Sequence, residues 1–227
     1  MITPTFNAAI LRRPETVAKQ IKELLTATDS RYKDVAELAQ MAISSAATND
    51  YLEKIAIEAI GGIHSSAKLG PDGYIGDRGI EAKPHKGSPG EKAGGVINDD
   101  TPMKLKKDLE EIDWIVFVNA SKCGDRVNFA VVAPFDTWAD SRYTQIVKHL
   151  QLTDPSWKWS QIELPKDPEE RKKCLEDLVA NHKPKYYVRS SPLSLELISK
   201  VPKEKRAIWV HPEISPDQLH KCVRELI

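Results

Sequence analysis

Two carboxylates and one ammonium bracket a tight turn in the stretch Pro71-Asp72-Gly73-Tyr74-Ile75-Gly76-Asp77-Arg78-Gly79-Ile80-Glu81-Ala82-Lys83. Glycine at 76 and 79 can supply positive φ and Asp77 favours a turn, so the chain is expected to reverse there as a β-hairpin. A loop of Asp77-Arg78, or of the four residues from Gly76 to Gly79, pairs Ile75 with Ile80, Tyr74 with Glu81 and Asp72 with Lys83. Strand side chains alternate. Ile75, Ile80 and Ala82 then share a face suited to a core, while Asp72, Glu81 and Lys83 project together from the other. Directly opposed side chains lie about 4.5–5.5 Å apart and diagonal ones about 7–8 Å, so Asp72 and Glu81 can reach one divalent cation with Lys83 beside it. A hard oxygen pair with open positions suits Mg2+, which keeps several waters and accepts phosphate oxygens. The chemistry implied is metal-assisted hydrolysis of a phosphodiester.

The spelling Pro71-Asp72, eight intervening residues, then Glu81-Ala82-Lys83 resembles the motif of the PD-(D/E)xK nuclease superfamily, which includes many type II restriction endonucleases and several repair and recombination nucleases. The resemblance implies that Asp72 and Glu81 bind Mg2+ and that Lys83 orients or activates the attacking water. In that family an acid on the helix before the hairpin often joins the metal site. Here that role falls on Glu58, with Glu53 as the alternative. The family also draws DNA contacts from a segment between two core strands, which places them on Asn98, Thr101 and Lys104. The competing reading of those residues is a helix with a solvated, charge-alternating face.

The elements that must position these groups can be read around them. Residues 1–68 are helical in pattern: Pro14 stands at a first turn followed by Val17, Ile21, Leu24 and Leu25, and Val35, Leu38, Ala39 and Ala42 repeat the spacing. A third helix over 51–60, capped by Asn49 or Asp50 and ended by Gly61-Gly62, buries Leu52, Ile55, Ala56 and Ala59. It carries both Glu53 and Glu58. His64 follows and is assigned no role in the site. Beyond the hairpin, residues 84–95 read as a long flexible loop whose Lys86 and Lys92 would meet a phosphate backbone. Residues 113–119 form a continuous apolar strand suited to burial on both faces, and 127–134 give its neighbour. Helices are expected over 137–150 and 167–181, with Trp157 and Trp159 in the loop between them. The basic and aromatic run 182–189 either tracks phosphates or forms an edge strand, and 207–210 is strand-like.

Together these imply an α/β fold, a mixed central sheet flanked by helices with a restriction-endonuclease-like core and a helical N-terminal region. The expected organisation is 1–68 packed on the core, 69–135 as the core with its hairpin, and 136–227 as its C-terminal part or a recognition or dimerisation subdomain. The chain of 227 residues, 41% hydrophobic, is long enough to bury a sizeable core. Its 33 Lys plus Arg balance 33 Asp plus Glu, so no global field marks a nonspecific nucleic-acid binder and any DNA contact must be local. Cys123, Cys174 and Cys222 form no disulfide or zinc pattern. No apolar run or leader pattern points to a membrane or to export, and a cytoplasmic protein is expected. Nucleotide-binding, serine-hydrolase and zinc-helix motifs are absent. The function expected is Mg2+-dependent, site-specific cleavage of double-stranded DNA by a homodimer, as in type II restriction endonucleases. The alternatives are a structure-selective repair or junction-resolving nuclease and a noncatalytic DNA-binding module.

Overall fold

The structure is a computed structural model that describes residues 3–26, 34–39, 47–67, 70–91, 94–154, 156–183 and 186–227. Its centre is set by two apolar runs, β5 (Ile112–Ala120) and β6 (Val127–Pro134), whose residues are buried on both faces of the sheet almost throughout. Chains this rich in Val, Ile and Phe fit a pleated surface covered on both sides. Completing the main sheet are β1 (Ile63–His64), β2 (Gly73–Ile75), β3 (Arg78–Lys86) and β8 (Ala207–Val210), in the order β1-β2-β3-β5-β6-β8. β3 runs parallel to β5 and every other pairing is antiparallel. The mixed six-stranded sheet flanked by helices is the α/β architecture expected.

On one face α1 (Ala8–Leu11) and α3 (Ala47–Ala59) cover Ile80, Ala82, Trp114, Val116 and Val118 with Leu11, Leu52, Ile55 and Ala59. The helix α2 (Arg13–Leu25) lies between them in sequence, and residues 34–39 are also helical. Ala42 lies outside the described residues. On the other face Ile115, Phe117, Phe129 and Val131 pack against Phe135, Trp138, Leu195, Ile198 and Val223. Each such large side chain contributes about 1.5–3 kcal/mol by leaving water. A third cluster joins α4 (Pro102–Glu111), α5 (Ala139–Thr153) and α6 (Pro168–Asn181) through Leu105, Tyr143, Ile146, Leu150, Leu175 and Leu178. Trp157 and Trp159 stack with ring centroids 5.9 Å apart, and Trp159 Nε1 donates to the Tyr143 hydroxyl, so the pair pins its loop to this cluster.

Two expectations about the hairpin region change. Its turn is Gly76-Asp77, with Gly76 at φ 64°, so the register is Gly73 to Ile80, Tyr74 to Gly79 and Ile75 to Arg78. That is a shift of two residues from the expected pairing. The faces are preserved because strand alternation has period two, but Asp72 now falls opposite Glu81 instead of Lys83.

Residues 84–95 are also not one flexible loop. Residues 84–86 continue β3 against Val118, Asn119 and Ala120, and β4 (Gly94–Asp100) pairs antiparallel with β7 (Val188–Ser194) as a separate two-stranded ribbon. The run at 182–189 therefore ends in the start of a strand. A buried ion cluster fixes the ribbon: Arg142 of α5 donates from Nε and Nη2 to the two Asp100 oxygens at 2.9 and 2.8 Å, and from Nη2 to Asp108 of α4 at 2.8 Å.

The short β2 leaves the outer edge of β3 without a strand partner beyond Ile80, among the described residues. The Asp72 side chain takes over there, its Oδ2 accepting the Ala82 N–H at 2.8 Å. Backbone donors alternate along a strand, so the next one on that edge would come from residue 84. It is Pro84, which has none. Among the described residues, no helix is long and apolar enough to cross a membrane.

Candidate active site at the open sheet edge

Asp72, Glu81 and Lys83 meet where β2 stops and β3 goes on alone. Ile80 and Ala82 are buried beneath, while Glu81 and Lys83 keep 14% and 22% of their side chains exposed. The Lys83 ammonium donates to Glu81 Oε1. Two glycines make room for this arrangement. A Cβ on Gly79 would lie 2.0 Å from the Glu111 carbonyl oxygen, so β3 approaches the end of α4 closely only because that residue is glycine. A Cβ on Gly95 would lie 2.7 Å from Lys83 Cγ, so β4 rests directly on the Lys83 stem.

A further acid reaches the site from α3. Glu53 has its carboxyl pushed up to about 7, first by burial and then by repulsion from Asp72, with Lys83 opposing. Asp72 is also raised, by burial and then by Glu81; the Ala82 N–H, Lys83 and His64 hold it back. Burial works to lower Lys83, yet its bond and charge contact with Glu81, together with Asp72 and Glu53, hold the ammonium above its ordinary value. Carboxylates crowded around a single cation thus repel one another. Such a site gains from added positive charge.

Glu58 is placed elsewhere. Its carboxylate is 2.8 Å from Arg13 Nη1 and 3.8 Å from Lys54 Nζ, and it lines a different cavity with Thr3, Ile75 and Arg78. Five residues separate it from Glu53, about 140° around the helix. Glu53, the alternative in the sequence reading, is the helix acid in electrostatic contact with Asp72, Glu81 and Lys83.

Of the residues expected to meet DNA, Asn98 lines one cleft of about 550 Å3 together with Glu53, Lys83, His85, Val96 and Pro192. Lys86 ends β3. Thr101 instead caps α4, its hydroxyl accepting the Lys104 N–H at 3.1 Å, and Lys104 Nζ donates to the Asn98 carbonyl at 2.8 Å. Those two serve local structure in the first place. Lys92 lies outside the described residues.

The sequence assigns His64 no role in the site, yet its charge reaches Asp72, and it does not single out Asn49 or His85 as part of the cleft that they line. Asn49 reads as a cap in the sequence, yet it stands one helical turn before Glu53. That spacing was the available signal.

Among the described residues, no group of three or more His, Cys, Asp or Glu is gathered so as to hold a metal ion. The donor set is hard oxygen only, with Glu81 drawn toward Lys83. It fits an ion that retains most of its own waters better than an all-protein cage. No protein-family model, curated protein or solved structure matches the chain.

Proposed function

We propose that the protein is a Mg2+-dependent endonuclease that hydrolyses phosphodiester bonds of double-stranded DNA at a specific sequence, in the manner of the type II restriction endonucleases that its hairpin resembles. The observation carrying this reading is the placement of Asp72 opposite Glu81 with Lys83 on the same face, at an unpaired strand edge. Asp72 and Glu81, with Glu53 in place of Glu58, would hold the ion. When bound, Mg2+ polarises a phosphoryl oxygen and lowers the pKa of water. The residues of the chain supply the remainder. Lys83 stays protonated among its acids, so it orients the attacking water and steadies developing negative charge instead of taking a proton. Glu53 would hold the ion as a carboxylate, its proton-bound form being favoured by burial and Asp72 in the absence of added positive charge.

A palindromic target with two strands to cut favours a homodimer, whose two related sites face the two strands. Residence in the cytoplasm belongs to the same reading. The test is purified protein on a long mixed-sequence duplex, with Mg2+ or with chelator, beside the Asp72→Asn and Lys83→Ala proteins. Discrete fragments are expected from wild type in Mg2+ alone, with a loss of about 100- to 1,000-fold in either variant. A smear would favour a repair nuclease. Undiminished cutting by the variants, or none by wild type on genome-scale DNA, would overturn the reading.

A further inference from the structure

The candidate cleft has two unlike walls. One carries Glu53 and Lys83; the other is the β4–β7 ribbon. Across the ribbon, Asn98 stands directly opposite Ser190 and Val96 opposite Pro192, and all four residues are exposed. The buried face of the ribbon carries Ile97, Ser191 and Leu193. No charged residue occurs in 94–98 or 190–194, in a chain that is 29% charged; the exposed charges of the ribbon, Asp99 and Arg189, stand together just beyond the Asn98–Ser190 pair. A solvent-facing wall of this kind, made of hydrogen-bonding and small apolar groups, is unlike an ordinary solvated surface. Among the described residues, neither the Asn98 amide nor the Ser190 hydroxyl has a side-chain hydrogen bond within the protein. Cations stand at its margin, with Lys104 Nζ on the Asn98 carbonyl and the Lys83 stem beneath Gly95.

Uncharged edges of bases lie between two rows of phosphates in a duplex, and a two-stranded β-ribbon fits the major groove. We infer that the β4–β7 ribbon is the sequence-reading element of this protein, with the Asn98–Ser190 pair hydrogen-bonding base edges and Val96–Pro192 packing on them. This rests on the nuclease reading for its DNA substrate. The two cross-strand rows are two residues apart, about 6.6–6.8 Å along a strand. Twice the base-pair rise of about 3.4 Å is the same distance, so the rows address positions two base pairs apart. The Asn98 amide, with a donor and an acceptor, matches the paired acceptor and donor of adenine in the major groove. Because Arg142 ties β4 to α4 and α5, the reading wall is held at a fixed offset from Lys83.

The experiment separates reading from cutting. Lys83→Ala protein is used to select duplexes from a library with a randomised central segment, and the bound pool is sequenced. The same selection is run with Asn98→Ala or Ser190→Ala added. The Lys83→Ala protein is expected to enrich one consensus. Adding Asn98→Ala should flatten preference at one or two positions by roughly 5- to 150-fold. No consensus from the Lys83→Ala protein, or an unaltered consensus after both substitutions, overturns the inference. So does a change in oligomeric state in place of a change in preference, since the ribbon would then be a protein interface. If a consensus appears and moves as stated but wild type does not cut it in Mg2+, the ribbon stands and the nuclease reading falls.

Discussion

Replacing Glu53 with glutamine is expected to stabilise the metal-free protein at pH 8 and to impair its response to Mg2+. Burial and the negative charge of Asp72 push the Glu53 carboxyl from its ordinary 4.5 to about 7. The folded state therefore holds a proton that the unfolded chain has released across that interval, and stability falls as pH rises from about 4.5 to about 7. At 1.36 kcal/mol per pH unit the full rise would be worth about 3.4 kcal/mol. The carboxylate is partly exposed and solvent screens it, so about 1–2 kcal/mol is the effect expected. Glutamine keeps the shape and removes the titration. Urea unfolding in chelator should show Glu53→Gln more stable than wild type at pH 8 and equal to it near pH 4.5. Adding Mg2+ at pH 8 should raise the midpoint of wild type more than that of the variant. A stability difference independent of pH, or a variant less stable at pH 8, would refute the electrostatic account of the site.

Glu58→Gln removes contacts to Arg13 and Lys54 that lie at the surface; it should cost about 0–1 kcal/mol and leave Mg2+-dependent cleavage at the wild-type rate. Asp72→Asn keeps a side-chain oxygen to accept the Ala82 N–H, so thermal unfolding should move little, while the cleavage rate falls about 100-fold or more. Arg142→Met leaves Asp100 and Asp108 without their cation in the interior and should cost about 3–5 kcal/mol in urea titration.

The central strands were legible because their apolar runs are continuous: the 127–134 expectation coincides with β6, and 113–119 lies within β5. The division of the hairpin into two faces was legible for a related reason. Any shift of register by two residues leaves it intact, so it survived the misplaced turn. Glu53 and Glu58 show where the pattern stops informing. They flank the apolar stripe of Leu52, Ile55, Ala56 and Ala59 on opposite sides, and helical periodicity does not say which side faces the hairpin. The ribbon was hidden more deeply. Pairing Gly94 with Ser194 joins positions a hundred residues apart, and a Gly-rich run with few apolar residues gives no local strand signal. Its partner starts only at the end of the basic and aromatic run 182–189, and five of its seven residues, Ser190 to Ser194, lie beyond it.

The bare flank of β3 has a consequence for the behaviour of the protein in a crowded solution. An exposed strand edge offers donors and acceptors to any passing chain and is a common start for association between copies. Here the first donor beyond β2 is occupied by Asp72 and the second is absent at Pro84. The strand that carries Glu81 and Lys83 therefore keeps an uncovered edge while offering a passing peptide few donors to pair with. Asp72 and Pro84 thus leave this edge open without leaving it adhesive.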